Sequence, residues 1–274
     1  MFESILKNVQ QKTPLVHCIT NYVTVNDVAN VLLACGGSPI MADDEKDAVE
    51  ITAICNALVI NIGTLNQRTI ATMLKTGKKA NELSHPVVLD PVGAGASSLR
   101  TDTTFKLLEE VKFAVIRGNI SEIKTVSKGS GTTKGVDADV SDAVTEKNLD
   151  ETISFAKQLS AKTKAVIAIT GAIDIVTDSN KAYIIRNGHP MMSKITGTGC
   201  MLTALIAAFC AANMDNHLDA TAAAVCAMGL AGELAYEKVV KNDAGTSSYR
   251  TYLIDAISKM DVKTLEGGAK IESR

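Results

Sequence analysis

The chain has 274 residues, enough for one large domain or two modest ones. Hydrophobic residues make up 46% and charged residues 21%, a balance typical of a folded globular protein and unlike that of a disordered chain. The formal net charge of −2 leaves no basic excess for a phosphate backbone or anionic lipid, and aromatic residues are only 4%, so we expect neither nucleic acid nor a membrane as a partner.

Short apolar segments predict the strands of a sheet. In chain order, these segments are residues 14–20, 57–62, 86–90, 113–116 and 165–170. They are continuously apolar, which is typical of parallel strands covered on both faces. Helical patterns lie between them, most clearly near 25–34 and 67–82. The alternation predicts an α/β fold, with a mostly parallel sheet flanked by helices on both faces.

The C-terminal half breaks this alternation. Residues 173–177 and 181–185 predict an antiparallel hairpin at one edge of the sheet, turned at 178–180. From residue 197 onward the pattern is helical throughout, and the last helix ends near Met260. No linker, low-complexity stretch or internal repeat divides the chain, so we expect a single domain over residues 1–274.

The cysteines and the apolar segments bear on the cellular location. No C-x-x-C motif occurs among the six cysteines, and no histidine stands at zinc-finger spacing from any pair, so a zinc site has little support. The first residues include an early acid and no apolar stretch, unlike a secretory signal. The longest apolar segment, residues 201–212, is shorter than the roughly 20 residues that a membrane span needs. We expect a cytoplasmic protein.

Glycine and polar residues collect where the predicted strands end. They form the segments Asp90–Ser97, Arg117–Glu122, Thr170–Gly171 and Ile195–Cys200. In open α/β sheets, ligands bind beyond the carboxyl ends of the strands. We therefore expect the functional site at this rim.

The segment Thr196-Gly-Thr-Gly-Cys200 precedes the long apolar helix. Glycines there leave backbone N–H groups free to converge, and the helix dipole adds partial positive charge, which together suit a phosphate. The alternative is a glycine-rich helix cap without a ligand, and spacing alone leaves the two equal. The nucleotide P-loop motif is absent, and so is the third glycine of the dinucleotide fingerprint.

Cys200 stands in the first turn of that helix. The dipole predicts a lowered pKa and a partly ionised thiol, suited to a weak general base or to a polar wall of the site. The alternative is a buried filler, which explains Cys210 and Cys226 better. His17 and Cys18 are neighbours on a strand, so we expect them to point to opposite faces rather than to form a catalytic pair.

Two carboxylates and two basic groups at the rim each have a structural alternative. Asp90 is either an oxygen ligand for Mg²⁺ or a turn former. Asn119 and Glu122 stand three residues apart at a helix start, where they suit Mg²⁺ held through waters or, more simply, helix capping. Arg117 is either a phosphate contact or a surface residue. The basic segment 128–135 is either a lid near phosphates or a solvated loop.

Together these segments resemble the hydroxyethylthiazole kinases of thiamin salvage, within the ribokinase-like superfamily. The resemblance covers most of the chain and rests on the order of Cys18–Asn30, Gly36–Ala42, Asp90–Ser97, Arg117–Glu122, Ile195–Cys200 and Gly245–Arg250. It implies transfer of the ATP γ-phosphate to the primary hydroxyl of 4-methyl-5-(2-hydroxyethyl)thiazole. It also implies homotrimers with active sites between subunits, in which Met41 serves either its own site or its neighbour's.

The resemblance also implies residue roles. ATP is bound by Arg117, Thr170 and Thr198, the thiazole by Met41, Gly197 and Asn21, and Mg²⁺ by Asp90 and Glu122. The amides from Gly197 through Gly199 to Cys200 hold the transferring phosphoryl group. Cys200 replaces the aspartate that most of the superfamily uses as base. Because phosphoryl transfer has a loose transition state, positioning and charge stabilisation supply most of the catalysis.

Other functions compete with this interpretation. Within the same superfamily, the alternatives are a hydroxymethylpyrimidine kinase and an ATP-dependent dehydratase of the NAD(P)HX type. Outside it, the α/β pattern also suits a nicotinamide oxidoreductase, although the failed glycine fingerprint argues against one. A further alternative is a ligand-binding module that binds nucleotide without turnover.

Overall fold

The computed structural model describes residues 2–128 and 143–274. The strands are β1 Leu15–Ile19, β2 Ser38–Ile40, β3 Ala57–Asn61, β4 Val87–Asp90, β5 Val115–Gly118, β6 Val166–Ile169, β7 Asp174–Thr177, β8 Ala182–Ile185 and β9 Ile271–Ser273. The helices are α1 Glu3–Lys12, α2 Val25–Ala34, α3 Glu45–Ile54, α4 Gln67–Glu82, α5 Ser98–Glu110, α6 Ile120–Lys128, α7 Leu149–Thr163, α8 Thr198–Ala212, α9 His217–Lys241, α10 Thr246–Ser258 and α11 Val262–Gly268, with a 3₁₀ turn at Pro190–Lys194. The predicted basic loop at 128–135 lies, beyond Lys128, outside the described residues.

All nine strands belong to one sheet, in the order β2-β1-β3-β4-β5-β6-β7-β8-β9. The pairs from β2 to β6 are parallel, and those from β6 to β9 are antiparallel. The five predicted parallel strands and the hairpin are therefore confirmed. Asp178 closes the hairpin because its carboxylate accepts hydrogen bonds from the N–H groups of Asn180 and Lys181.

Helices cover both faces of the sheet, as predicted. Helices α1, α2, α8, α9 and α10 pack on one face around a core that includes Val16, Cys18 and Val88. Helices α4 to α7 pack on the other face around Leu58, Ile60 and their neighbours. Because both faces are covered, every residue of β3 and β4 is buried, and this explains the continuously apolar strand segments.

Neighbouring residues of β1 face opposite sides, as expected. Cys18 lies in the core beneath α8, whereas the His17 ring bonds the Thr52 hydroxyl of α3 at 2.9 Å and the Ala42 carbonyl at 2.8 Å. Both ring nitrogens of His17 are thus used in packing, and His17 and Cys18 form no catalytic pair.

The expectation of an all-helical chain after residue 197 is wrong. Residues Ile271–Ser273 form β9, an edge strand paired antiparallel with β8. Ala182 and Arg274 exchange two backbone hydrogen bonds, at 2.7 and 2.8 Å, next to this pairing. A three-residue edge strand with one apolar side chain is too short for its periodicity to be recognised.

Helix α9 is long and apolar enough to cross a bilayer by length and composition alone, but 78% of its most apolar stretch is buried inside the protein. It packs against α8, α10 and the β6 to β8 part of the sheet. Its apolar composition is that of a helix at the centre of a core.

Candidate active site

Polar groups line the carboxyl edge of the sheet in an order set by the topology. At or just beyond the strand ends stand Met41 (β2), Asn21 (β1), Asn61 (β3), Asp90 (β4), Arg117 (β5) and Thr170 (β6). Adjacent strands are about 4.8 Å apart, so the rim from β1 to β6 is about 19 Å long. Helix α8 packs on β1, β3 and β4, which brings its first turn over the middle of the rim. The rim is long enough for two small ligands end to end.

The thiol of Cys200 is held by two amide groups. The Nδ2 atoms of Asn21 and Asn61 lie 3.2 and 3.3 Å from Cys200 Sγ, which accepts a hydrogen bond from each. Asn21 is itself fixed by Thr24, whose N–H and hydroxyl both donate to Asn21 Oδ1. The structure therefore brings the predicted residues Asn21 and Cys200 into direct contact.

The predicted lowering of the Cys200 pKa is wrong. Burial of the thiol raises its pKa, and the negative charge of Asp90 raises it further. Hydrogen bonds from Thr24, Asn21 and Asn61 act in the opposite direction without cancelling these effects. Loss of hydration thus outweighs the helix dipole on which the prediction was based. Cys200 is a protonated thiol near neutral pH.

Asp90 is a fully buried carboxylate with one oxygen left open. Its Oδ2 accepts hydrogen bonds from Asn61 Nδ2 at 2.8 Å and from the Thr203 hydroxyl at 2.9 Å. Its Oδ1 has no hydrogen-bond partner among the described residues, although Arg117 Nη1 is 3.5 Å away. Burial raises the pKa of Asp90 to about 6, with Arg117 opposing the shift. Such an environment is atypical of a simple turn former.

Arg117 joins the end of β6 to α8. Its Nη2 donates to the Thr170 hydroxyl at 2.6 Å, and its guanidinium lies against the first turn of α8 at Gly199. A Cβ atom on Gly199 would lie 2.9 Å from Arg117 Cζ, so glycine there lets the guanidinium lie directly against the helix. The Nε atom of Arg117 is buried and has no partner within the described parts of the chain. The side chain is only 13% exposed, which excludes the surface-residue alternative.

The start of α8 depends on an unusual backbone conformation at Gly197. This residue has φ +90°, in the left-handed region that favours glycine, and a Cβ atom there would lie 2.8 Å from Thr24 Cγ2. Met201 donates the first helical hydrogen bond, to the Gly197 carbonyl at 2.8 Å. The N–H groups from Thr198 to Cys200 therefore lack helical partners and are free for a ligand.

Glu122 performs the capping role that the sequence suggested. Its Oε2 accepts from the Asn119 N–H at 2.8 Å, and Asn119 Oδ1 accepts from the Glu122 N–H at 2.9 Å, which forms a capping box at the start of α6. Its Oε1 accepts from the Gly93 N–H at 2.8 Å, so the same carboxylate also holds the loop that follows β4. Its charge contributes to the raised pKa of Asp90, so the two carboxylates interact.

The carboxylates at this end of the rim fit a divalent cation held largely by water. Across residues 2–128 and 143–274, no group of three or more His, Cys, Asp or Glu side chains forms a ready cage. Mg²⁺ usually keeps several waters and takes only one or two protein carboxylates. The buried open oxygen of Asp90 suits that requirement, and each Glu122 oxygen keeps a lone pair beyond its backbone hydrogen bond.

Sequence reasoning missed two residues of the site. Asn61 contacts both Cys200 and Asp90, and Thr203 contacts Asp90. Asn61 left one signal, because an amide ends an otherwise apolar strand segment. Thr203 left none, since it lies within the apolar run of α8. Met41 follows β2 at the far end of the rim, beyond β1, and packs against the core beneath α8.

Structural comparison defines the class of protein. A ribokinase-like superfamily protein from Enterococcus faecalis matches with a TM-score of 0.62 at 12% identity, covering 93% of this chain and 88% of that one. At this identity the likeness shows the fold alone, which is the ribokinase-like α/β fold. A structure titled as hydroxyethylthiazole kinase protein from Pyrococcus horikoshii matches with a TM-score of 0.86 at 35% identity, covering 98% and 97% of the two chains.

Sequence comparison identifies the family. The profile of the hydroxyethylthiazole kinase family matches residues 6–263. The hydroxyethylthiazole kinase of Clostridium acetobutylicum is 62% identical over 273 residues, with 100% of both chains covered, and that of Clostridium beijerinckii is 55% identical, with 98% of this chain and 96% of that one covered. The chain belongs to the hydroxyethylthiazole kinase family, and the resemblance predicted from its motifs is confirmed.

Proposed function

We propose that this enzyme transfers the γ-phosphoryl group of ATP to the primary hydroxyl of 4-methyl-5-(2-hydroxyethyl)thiazole, in thiamin salvage. The observation that carries the proposal is the order of groups along the rim. The amides of Asn21 and Asn61 lie at the ends of β1 and β3 and contact the thiol of α8, the open carboxylate oxygen lies at β4, and the guanidinium lies at β5 against the free amides of α8. This order suits an alcohol at one end, a polyphosphate at the other and the transferring group between them.

In this proposal, ATP is bound at one end of the rim by Arg117, Thr170 and Thr198. The guanidinium of Arg117 contacts Thr170 and the first turn of α8, so three sources of positive potential adjoin one another: the side chain, the unpaired amides and the helix dipole. The amides of Gly197, Thr198 and Gly199 would hold the transferring phosphoryl group. The left-handed conformation of Gly197 supports this role because it turns the chain into the helix at that point.

The alcohol end is Asn21, Met41 and Gly197. The contact between Asn21 and Cys200 supports it, because it brings a polar group of the β1 side next to α8. Cys200 is protonated near neutral pH and has no negative charge with which to take the alcohol proton, so we propose that its thiol forms a polar wall of the site and that positioning supplies most of the rate.

Mg²⁺ would be held by Asp90 and Glu122, largely through waters, and would offset negative charge on the phosphates. Asn61 and Thr203 orient the Asp90 carboxylate so that its Oδ1 stays open. Glu122 also accepts a hydrogen bond from the Gly93 N–H and so holds the loop after β4 beside the proposed Mg²⁺ site.

We also propose a single domain over residues 1–274, a homotrimer with active sites between subunits, and a cytoplasmic location. One continuous sheet supports the single domain. Tyr22 and Val23 are 79% and 57% exposed beside Asn21, and such apolar side chains at the rim support coverage by a neighbouring subunit. Six free cysteines support a reducing compartment. Sedimentation analysis of the purified chain tests the trimer.

The decisive experiment is incubation of the enzyme with Mg-ATP and the thiazole alcohol, followed by mass spectrometry of the products. The expected result is thiazole phosphate and ADP in equal amounts, lost when a chelator removes Mg²⁺. Parallel reactions with hydroxymethylpyrimidine and pyridoxal test other vitamin-related alcohols. Phosphorylation of one of these without thiazole phosphate would overturn the substrate assignment, and nucleotide binding without any turnover would overturn the kinase assignment.

A further inference from the structure

Asn61 is a buried amide at the rim that uses all of its hydrogen-bonding groups. It is the last residue of β3 and is 1% exposed. Its Nδ2 donates to Asp90 Oδ2 and to Cys200 Sγ. Its Oδ1 accepts from the Gly63 N–H at 2.9 Å and from Asn21 Nδ2 at 3.1 Å. A primary amide has two N–H donors and one oxygen with two lone pairs, so the whole hydrogen-bonding capacity of Asn61 is used.

These contacts determine which oxygen of Asp90 is available. Asn61 and Thr203 both donate to Oδ2, so the buried carboxylate is oriented with Oδ1 toward the site. Loss of either donor would remove one of two contacts that prevent rotation of the carboxylate. Thr203 acts on Asp90 alone, because its other hydrogen bond is to the Gly199 carbonyl of its own helix.

The same amide also holds the thiol. The groups that face Cys200 Sγ are the amides of Asn21 and Asn61, the hydroxyl of Thr24 and the carboxylate of Asp90. The guanidinium of Arg117 lies against the preceding residue, Gly199. Among these groups in the described part of the chain, only Asn61 donates hydrogen bonds to both the sulfur and Asp90.

We infer that Asn61 is a positioning residue that couples the two chemical groups of the site, holding the Cys200 thiol and the Asp90 carboxylate in fixed relation through one amide group. The kinetic part of this inference rests on the proposed phosphoryl transfer, whereas the structural part does not. The alternative is a purely structural role, in which Asn61 only closes the turn after β3 by accepting a hydrogen bond from the Gly63 N–H.

The matched variants are Asn61→Asp and Thr203→Val. Asn61→Asp keeps the size and the acceptor for Gly63 but removes both donors, whereas Thr203→Val removes a donor to Asp90 and leaves the sulfur contacts in place. Alkylation of Cys200 by iodoacetamide is followed by mass spectrometry as a function of pH, without nucleotide or Mg²⁺. The other cysteines are buried, and Cys200→Ala identifies the signal.

We expect the midpoint of the alkylation profile to rise in Asn61→Asp, which loses the donor to the sulfur and gains a negative charge beside it, and to rise by about one pH unit in Asn61→Leu, which loses the donor without gaining a charge. In Thr203→Val the midpoint should stay at the wild-type value. With Mg-ATP and the thiazole alcohol, kcat should fall in Asn61→Asp and in Thr203→Val, and the KM for ATP should stay within about twofold in both.

A wild-type alkylation midpoint in Asn61→Leu would overturn the inference, whatever the kinase assay shows. If Asn61→Asp does not fold, Asn61→Leu decides alone, because it removes both donors without adding a charge and matches the branched shape of the amide, so that water does not enter beside the thiol. Absence of thiazole phosphorylation by the wild type would overturn the proposed function instead and would leave the alkylation result valid. The two failures are therefore distinguishable.

Discussion

Replacement of Gly199 by alanine tests the contact between α8 and Arg117 directly. The added Cβ would lie 2.9 Å from Cζ and 2.7 Å from Nη2 of Arg117, whereas ordinary contact begins at 3.4 Å. The guanidinium must therefore retreat by at least about 0.7 Å, because the helix backbone is the less mobile partner. We expect that retreat to lengthen the 2.6 Å hydrogen bond to Thr170 and to move the charge away from the free amides.

The expected loss of ATP affinity is that of one hydrogen bond between the displaced guanidinium and a phosphate. A hydrogen bond involving a charged group contributes about 1.5–3 kcal/mol, which corresponds to about 10- to 100-fold in affinity. We expect the KM and the dissociation constant for ATP to rise by that factor in Gly199→Ala, while the KM for the thiazole alcohol changes little. The fold should not suffer, because alanine favours a helix over glycine by up to about 1 kcal/mol.

The assay is isothermal titration with ATP together with steady-state kinetics in both substrates. Gly245→Ala is the control, since Gly245 also stands at the N-terminal end of a helix, just before α10, but a Cβ there meets nothing within 4 Å. It should leave ATP binding and melting temperature at wild-type values. Unchanged ATP affinity in Gly199→Ala, with the protein folded, would refute the contact between α8 and Arg117 as the basis of nucleotide binding.

Three further predictions concern the acids and the thiol. Cys200→Ala should keep substrate affinity and lower kcat, and Cys200→Asp should stay active; equal kcat in wild type and Cys200→Ala would show that the thiol has no part in turnover. Glu122→Gln should weaken the Mg²⁺ dependence of the rate, and an unchanged Mg²⁺ titration would exclude Glu122 from the metal site. Burial raises the pKa of Asp174 to about 7, so the folded protein keeps a proton that the unfolded chain releases above about pH 4, and stability falls as pH rises from 4 to 7. In Asp174→Asn the amide oxygen can still accept the hydrogen bond from the Gly171 N–H. The melting temperature of this variant should therefore be about 5 °C or more above that of the wild type at pH 8 and close to it at pH 4. An equal difference at both pH values would contradict this.

Periodicity predicted the sheet well because both of its faces are covered. The strand segments near Leu58 and Ile167 are buried at every position and apolar at every position except Asn61, which is the direct result of burial on two sides. Periodicity failed for β2 and β9, each three residues long and at an edge of the sheet, where pairing with a neighbour determines the structure. Local sequence contains no record of that pairing.

The rim residues were predictable where the topology alone decides their place. Asp90, Arg117 and Thr170 end or follow parallel strands, so they had to meet at one edge. The electrostatics were not predictable, because they depend on burial and on contacts between distant segments. The Cys200 pKa illustrates this: the helix dipole is visible in the sequence, but the loss of hydration that outweighs it appears only when β1, β3 and α8 are assembled.

The division of the rim follows the division of the chain. In the proposed arrangement the side chains at the alcohol end, Asn21 and Met41, come from the first 41 residues, whereas Arg117 and Thr170 come from the middle of the chain, and Gly197 stands just before α8, which adjoins both ends. Selection for a different acceptor can therefore act on the N-terminal quarter of the polypeptide and leave the groups facing the triphosphate untouched. Such an arrangement makes acceptor choice and nucleotide use separable traits for evolution and for protein engineering.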